Sequence, residues 1–147
     1  MARQSAYSAA MGPLQCLLYM SHATRELGAD EIARLLDSAR GRNEAEAVTG
    51  ALLHYGGRFV QVLEGEPDAV ERCFARIASD NRHARLTRLH NAPCETRRFP
   101  DWSMRYVGCA AQPDRAVGAF LDQLELAPGP DNVRQAIALL QRLAGGG

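Results

Sequence analysis

Val48-Thr49-Gly50-Ala51-Leu52-Leu53-His54-Tyr55-Gly56-Gly57-Arg58-Phe59-Val60-Gln61-Val62-Leu63-Glu64 is the stretch that decides the fold. Two apolar runs flank a Gly-Gly pair, the mark of a tight hairpin. Alternate side chains of a strand take opposite sides of its sheet. Phe59, Gln61 and Leu63 therefore face one way, and Val60 and Val62 the other.

Outward from the hairpin, helices and strands alternate. Gly65-Glu66-Pro67 is a turn with proline at a first helical position. Val70, Cys73, Phe74 and Ile77 mark one face of a helix that ends near Asp80. Upstream, Leu14 to Ser21 is a compact apolar run that reads as a buried strand. Glu31 to Arg40 is helical, with Ile32, Leu35, Leu36 and Ala39 on one face, and Gly41 is expected to stop it. Downstream, Leu86 to Glu95 reads as a strand and Arg97 to Pro100 as a loop. Trp102 to Val107 is a last strand that places Trp102 and Met104 on one face.

Strand, helix, strand, strand, helix, strand is the ferredoxin-like split pattern of an α+β domain, with one strand added. Its two helices cover one face of the sheet. Two further helices are expected after Ala110. One carries Val117, Phe120, Leu121 and Leu124; the other is capped by Asp131 and carries Val133, Ile137, Leu140 and Leu143. This pair is expected to cover the open sheet face. The division is a loose arm over 1–12, a core domain over 13–108 and a helical extension over 109–147, with a frayed Gly145-Gly146-Gly147 end.

The 147 residues suit one domain with a core of its own. Lys+Arg and Asp+Glu number 17 each, whereas nucleic-acid binders usually carry a basic excess. The arginines between Arg82 and Arg98 read as a solvated face. Cys16, Cys73, Cys94 and Cys109 show no metal-ligand spacing, and Cys16 and Cys73 sit in apolar patterns. His22, His54, His83 and His90 are scattered, so no metal is expected. No run of about 18 apolar residues is present and no leader is evident, so a reducing, cytoplasmic setting is expected, with no membrane contact.

Four side chains stand out. Gln61 is a carboxamide on an apolar face and must find partners if buried. Tyr19 shares a face of the first strand with Gln15 and Leu17, and a buried phenol needs a partner. A ferredoxin-like sheet sets that strand beside the second hairpin strand, which makes Tyr19 and Gln61 neighbours. Asn43 falls just beyond the first helix. Trp102 is the single tryptophan. Each has an ordinary structural explanation when taken alone.

Together they fit a family pattern. The matching residues are Leu17-Leu18-Tyr19-Met20-Ser21, Asn43, Val48-Thr49-Gly50-Ala51-Leu52-Leu53 and Phe59-Val60-Gln61-Val62-Leu63-Glu64-Gly65. Asp80-Asn81-Arg82-His83 and Arg97-Arg98-Phe99-Pro100-Asp101-Trp102-Ser103-Met104 continue it. From Leu14 to Val107 the chain resembles the BLUF domain, a sensor of blue light using flavin. The resemblance implies a five-stranded mixed sheet and a non-covalent flavin between the first two helices. FAD is the implied cofactor, with FMN or riboflavin possible. By position, Tyr19 is the electron donor, Gln61 the switching amide and Asn43 the holder of the pyrimidine edge. Trp102 and Met104 are linked to signalling. Asp80, Arg82 and His83, and less directly Arg76, lie toward the polar edge and ribityl chain. Ile32, Leu35 and Phe59 would line the ring's slot. The implied photochemistry is proton-coupled electron transfer from Tyr19, which leaves the Gln61 amide rotated or tautomerised.

Arg42 and Ala39 depart from the family pattern, which often has Asn or His, and Ser, at those positions. About 40 residues follow Val107. The expectation is a photosensor without a catalytic output domain that acts on an unidentified downstream protein and self-associates. A light-insensitive ferredoxin-like binding module, an RNA-binding sheet and a small hydrolase are the competing readings. No anion cradle, catalytic base or basic excess favours them.

Overall fold

A computed structural model describes residues 13–108 and 115–145. The expected arm over 1–12, Cys109 and the last two glycines lie outside the described residues. The elements in order are β1 (Leu14–Ala23), α1 (Ala29–Ala45), β2 (Thr49–Tyr55), β3 (Arg58–Gly65), α2 (Pro67–Ala78), β4 (His83–Cys94) and β5 (Arg105–Gly108). Two helices follow, α3 (Arg115–Leu126) and α4 (Pro130–Gly145).

The strands form one mixed sheet in the order β4-β1-β3-β2-β5. β1 runs antiparallel to both β3 and β4, β2 and β3 form the expected hairpin, and β5 joins β2 in parallel. Gly56 and Gly57 turn the hairpin with φ of 57° and 75°, left-handed values that glycine adopts at no steric cost.

Period-two patterning sorts the core into two layers. Leu17, Tyr19, Leu52, Phe59 and Leu63 face α1 and α2, where Leu36, Val70, Cys73 and Phe74 meet them. Cys16, Leu18, Met20, Ala51, Leu53, Val60 and Val62 face the other way, against Val117, Leu121 and Leu124 of α3 and Ile137 and Leu140 of α4. The C-terminal helices thus cover the second face, as the sequence suggests. Among the described residues no helix is long and apolar enough to cross a membrane.

Three boundaries differ from the sequence reading. Helix α1 passes through Gly41 and ends at Ala45, with Ala47 just beyond it at a left-handed φ of 57°. There Val48 N donates to Asn43 O at 2.8 Å and Ala47 N to Glu44 O at 3.3 Å, the paired bonds of a Schellman stop. A lone glycine weakens a helix without ending it when the following residues still propagate the turn. Asp131 lies within the first turn of α4, behind Pro130, and pairs with Arg134 instead of capping. Strand β5 starts only at Arg105, because Trp102 to Met104 run across the end of the sheet as a loop.

Gly50 lies close against the main chain of β3. A Cβ there would lie 1.9 Å from Val62 O, a main-chain atom that cannot swing away. Gly50→Ala is expected to lower unfolding stability by about 3 kcal/mol, the upper end of ordinary overpacking costs, measured by urea denaturation.

Candidate functional site

The centre of the site follows from strand register. β1 and β3 are central strands, and Tyr19 and Gln61 are directly paired across them on the face toward α1 and α2. Both are buried, and the Tyr19 Oη donates a short hydrogen bond to Gln61 Oε1. With its oxygen engaged, Gln61 turns Nε2 toward Met104 and donates to Sδ at 3.1 Å. A thioether is a weak acceptor. Burial, then the nearby Cys73 and Asp80, push the Tyr19 phenol well above its ordinary value, so it stays protonated and acts as the donor.

Asn43 completes the inner edge. It lies in the last turn of α1, not beyond the helix, and is buried. Its Nδ2 donates to Ser103 O at 2.9 Å, and its Oδ1 accepts from Cys73 Sγ at 3.5 Å. Arg40 Nε donates to Met104 O at 3.0 Å. Asn43, Arg40 and Gln61 therefore all grip residues 103–104.

Trp102 and Met104 do not share a face. Met104 is buried beside Gln61, whereas Trp102 is half-buried in the opposite layer, with Phe99 at 6.3 Å between ring centroids. Both precede β5, so strand alternation does not govern them.

Between α1 and α2 lies a cavity of about 190 Å³ that reaches Tyr19, Asn43, Gln61 and Met104. Leu35, Leu52, Phe59 and Ile77 supply its apolar surface, and Arg42, Arg76, Asp80, Arg82 and His83 also line it. Ile32 does not. It faces a second cleft beside the hairpin turn, with His54 and Tyr106, because it lies one turn before Leu35, nearer that turn. Ser38 and Cys73 line the cavity unforeseen. Cys73 fits the apolar face of α2 so well that its sequence signal is that of a core residue.

Asp80 is forked by Arg82, with Nε–Oδ1 at 2.9 Å and Nη2–Oδ2 at 2.5 Å, which holds its carboxyl below the usual range. Arg76 reaches Glu46 at 3.3 Å, and Arg42 donates to Ser38 Oγ at 2.7 Å. The departures from the family pattern thus leave Arg42 bonded along its own helix. His83 Nδ1 meets Ser21 Oγ at 2.7 Å, and its ring lies 4.7 Å from Phe59.

This donor set suits a flat apolar ring with one hydrogen-bonding edge. Apolar side chains line the slot, two buried carboxamides stand at its inner end, and arginines stand near its polar side. Gln61 Nε2 rests on a weak sulfur acceptor, so a better acceptor in the cavity would be bound well. The volume is below the ~300 Å³ of pockets that enclose a whole ligand. It leaves room for a flat ring.

Residues 14–105 match the model of the family described as BLUF, sensors of blue-light using FAD. The chain belongs to the BLUF family. It is 40% identical over 92 residues to photoactivated adenylate cyclase subunit beta of Euglena gracilis. That match covers 62% of this chain and 11% of the relative, so the chain spans about a tenth of that protein. The BLUF protein BlrB, in its dark-state structure, superposes with a TM-score of 0.76 at 34% identity, covering 89% of this chain and 97% of that one. BlrP1 of Klebsiella pneumoniae, solved with FMN and cyclic diGMP, gives 0.66 at 31% identity, covering 91% and 35%.

His83 tests the electrostatics of this BLUF cavity. Burial lowers its pKa, so the folded state favours the neutral ring. The stability this gives is full above the ordinary imidazole value near 6.5 and is lost as pH falls from there toward the lower folded-state value. Thermal melts are expected to show a smaller loss between pH 7 and 5 for His83→Gln than for the unaltered protein.

Proposed function

We propose that this chain is a blue-light photoreceptor that holds a flavin non-covalently between α1 and α2. The observation that carries the reading is the buried relay from Tyr19 Oη to Gln61 Oε1 and from Gln61 Nε2 to Met104 Sδ at one end of the cavity. Asn43 and Gln61 would hold the polar edge of the ring, and Leu35 and Phe59 its apolar body. Arg76, Asp80, Arg82 and His83 would face the polar edge and ribityl chain. FAD, named in the family's description, is the proposed cofactor. FMN, present in the BlrP1 structure, and riboflavin are the alternatives.

When bound, the flavin supplies blue-light absorption and, once excited, a place for one electron from Tyr19. A phenol that loses an electron becomes a strong acid. Tyr19 Oη then passes its proton along the existing bond to Gln61 Oε1. When the electron returns, Tyr19 takes a proton back from Gln61: loss of the Oε1 proton with reorientation leaves the carboxamide rotated, and loss of an Nε2 proton leaves it in its imidic form. Gln61 then no longer presents the same group to Met104 Sδ. The protein's part is orientation and a proton path.

The signal leaves through residues 102–104, which join the cavity layer at Met104 to the helical-pair layer at Trp102. The response is a shift between two arrangements of this segment, read by α3 and α4. The proposed division is a sensor over 13–108 and an output extension over 109–147, cytoplasmic and without catalysis of its own. Its target is another protein, including a second copy of the chain, rather than nucleic acid or a membrane. Equal numbers of acidic and basic residues and the exposed Leu126 on α3 support that choice.

Tyr19→Phe is expected to bind flavin yet lose the reversible red shift of the visible band under blue light. Gln61→Leu is expected to do the same, since an alkyl chain carries no proton. A normal photocycle in Tyr19→Phe, followed by absorption spectroscopy, would overturn the mechanism.

A further inference from the structure

Glu64 is a fully buried carboxylate that the relay does not use. It stands three residues after Gln61 on β3, so its side chain lies on the opposite face of the sheet. Its contacts there are with main chain. Arg98 N donates to both carboxylate oxygens, at 2.9 and 2.8 Å, and Phe99 N donates at 3.0 Å. The adjacent Arg97 Nη1 donates to Glu64 O at 3.0 Å and to Thr49 Oγ1 at 2.9 Å. Burial raises the Glu64 carboxyl, and the Arg98 and Phe99 N–H groups oppose that rise.

The bonded residues open the segment that carries Trp102 and Met104. Phe99 is fully buried on the helical-pair face. Trp102 O then accepts from Gly50 N at 3.1 Å, Ser103 O from Asn43, and Met104 Sδ from Gln61. Residues 97–104 therefore form a strap across the end of the sheet. Its root is tied by Glu64 on one face, and its tip by the relay on the other. A change at Gln61 moves the tip. It becomes a directed movement of Trp102 only if the root is fixed.

We propose that Glu64 is a positioning residue for light signalling: its carboxylate clamps the root of the 97–104 strap, so that rearrangement of Gln61 is transmitted to Trp102. The clamp rests on the photoreceptor reading for its use, but its existence in the dark does not. Two main-chain N–H groups on a charged acceptor, that of Arg98 shared between both oxygens, make it tight, since such bonds are stronger than neutral ones and leave costly orphans when the acceptor is lost.

The test uses the full chain loaded with FAD, with Glu64→Gln beside the unaltered protein. The variant is expected to keep the reversible red shift, which depends on Tyr19 and Gln61. It is expected to lose the light-induced change in Trp102 fluorescence, which is unambiguous in a chain with one tryptophan. In the dark, amide exchange at Arg98 and Phe99 should quicken by about tenfold, the effect of one charge-assisted bond. Exchange and Trp102 response like those of the unaltered protein would overturn the proposal. If the unaltered protein shows no red shift, the photoreceptor reading falls, while the dark exchange comparison still decides the clamp. If Glu64→Gln does not fold, the unaltered protein decides alone. Slow exchange at both amides supports the clamp, and exchange at the rate of a free peptide overturns it.

Discussion

Tyr19 meets Gln61 because β1 and β3 are antiparallel neighbours held in one register, and almost everything else at the site follows from that pairing. A slip of one residue would turn the side chain of the slipped strand to the opposite face, into the layer that packs on α3 and α4, and so part the pair. The register is protected on both sides. Leu17, Phe59 and Leu63 are buried in one layer, and Leu18, Val60 and Val62 in the other, so a slip would put side chains of the wrong shape into both close-packed layers. The hydrogen bond between phenol and amide is thus imposed by hydrophobic burial and does not itself select the fold.

Within this frame four polar residues are buried among those described, and each is tied. Ser21 meets His83, Asn43 joins Cys73 to Ser103, Gln61 joins Tyr19 to Met104, and Glu64 holds the main chain of Arg98 and Phe99. Leaving any such group unpaired costs about 1–3 kcal/mol, so these bonds favour one arrangement strongly. Three of the four groups hold residues 98–104 through their own bonds. That segment has little regular structure, and polar ties replace the ladder that a strand would give it. It is suited to hold two discrete positions, because exchanging one weak bond to sulfur costs less than breaking a sheet ladder.

Much was legible before any coordinates. The Gly-Gly hairpin, the alternation along Phe59 to Leu63 and the helical face of Val70, Cys73, Phe74 and Ile77 are local signals that arise from backbone geometry. The structure agrees with each. Tyr19 beside Gln61 was legible too, once the element order implied which strands adjoin. Other features were hidden. Asn43 was misplaced because the end of α1 is set by main-chain bonds at Ala47, with no glycine to mark them. Ile32 shares a helical face with Leu35, yet the cavity begins a turn further on. The role of Cys73 gives no signal at all, since a small apolar residue on an apolar face looks the same whether it touches core or cavity.

The sequence by itself determined which residues of β3 share a face, because a two-residue period leaves no other choice. It also determined the sheet's class, through the order of its elements. Only the tertiary structure decided that Trp102 and Met104 lie on opposite sides of the sheet, and that Glu64 holds the loop between β4 and β5. Those outcomes depend on the path of a non-repeating segment. Its partners are main-chain N–H and C=O groups far away in sequence, and every residue carries such groups alike, so no residue type announces them.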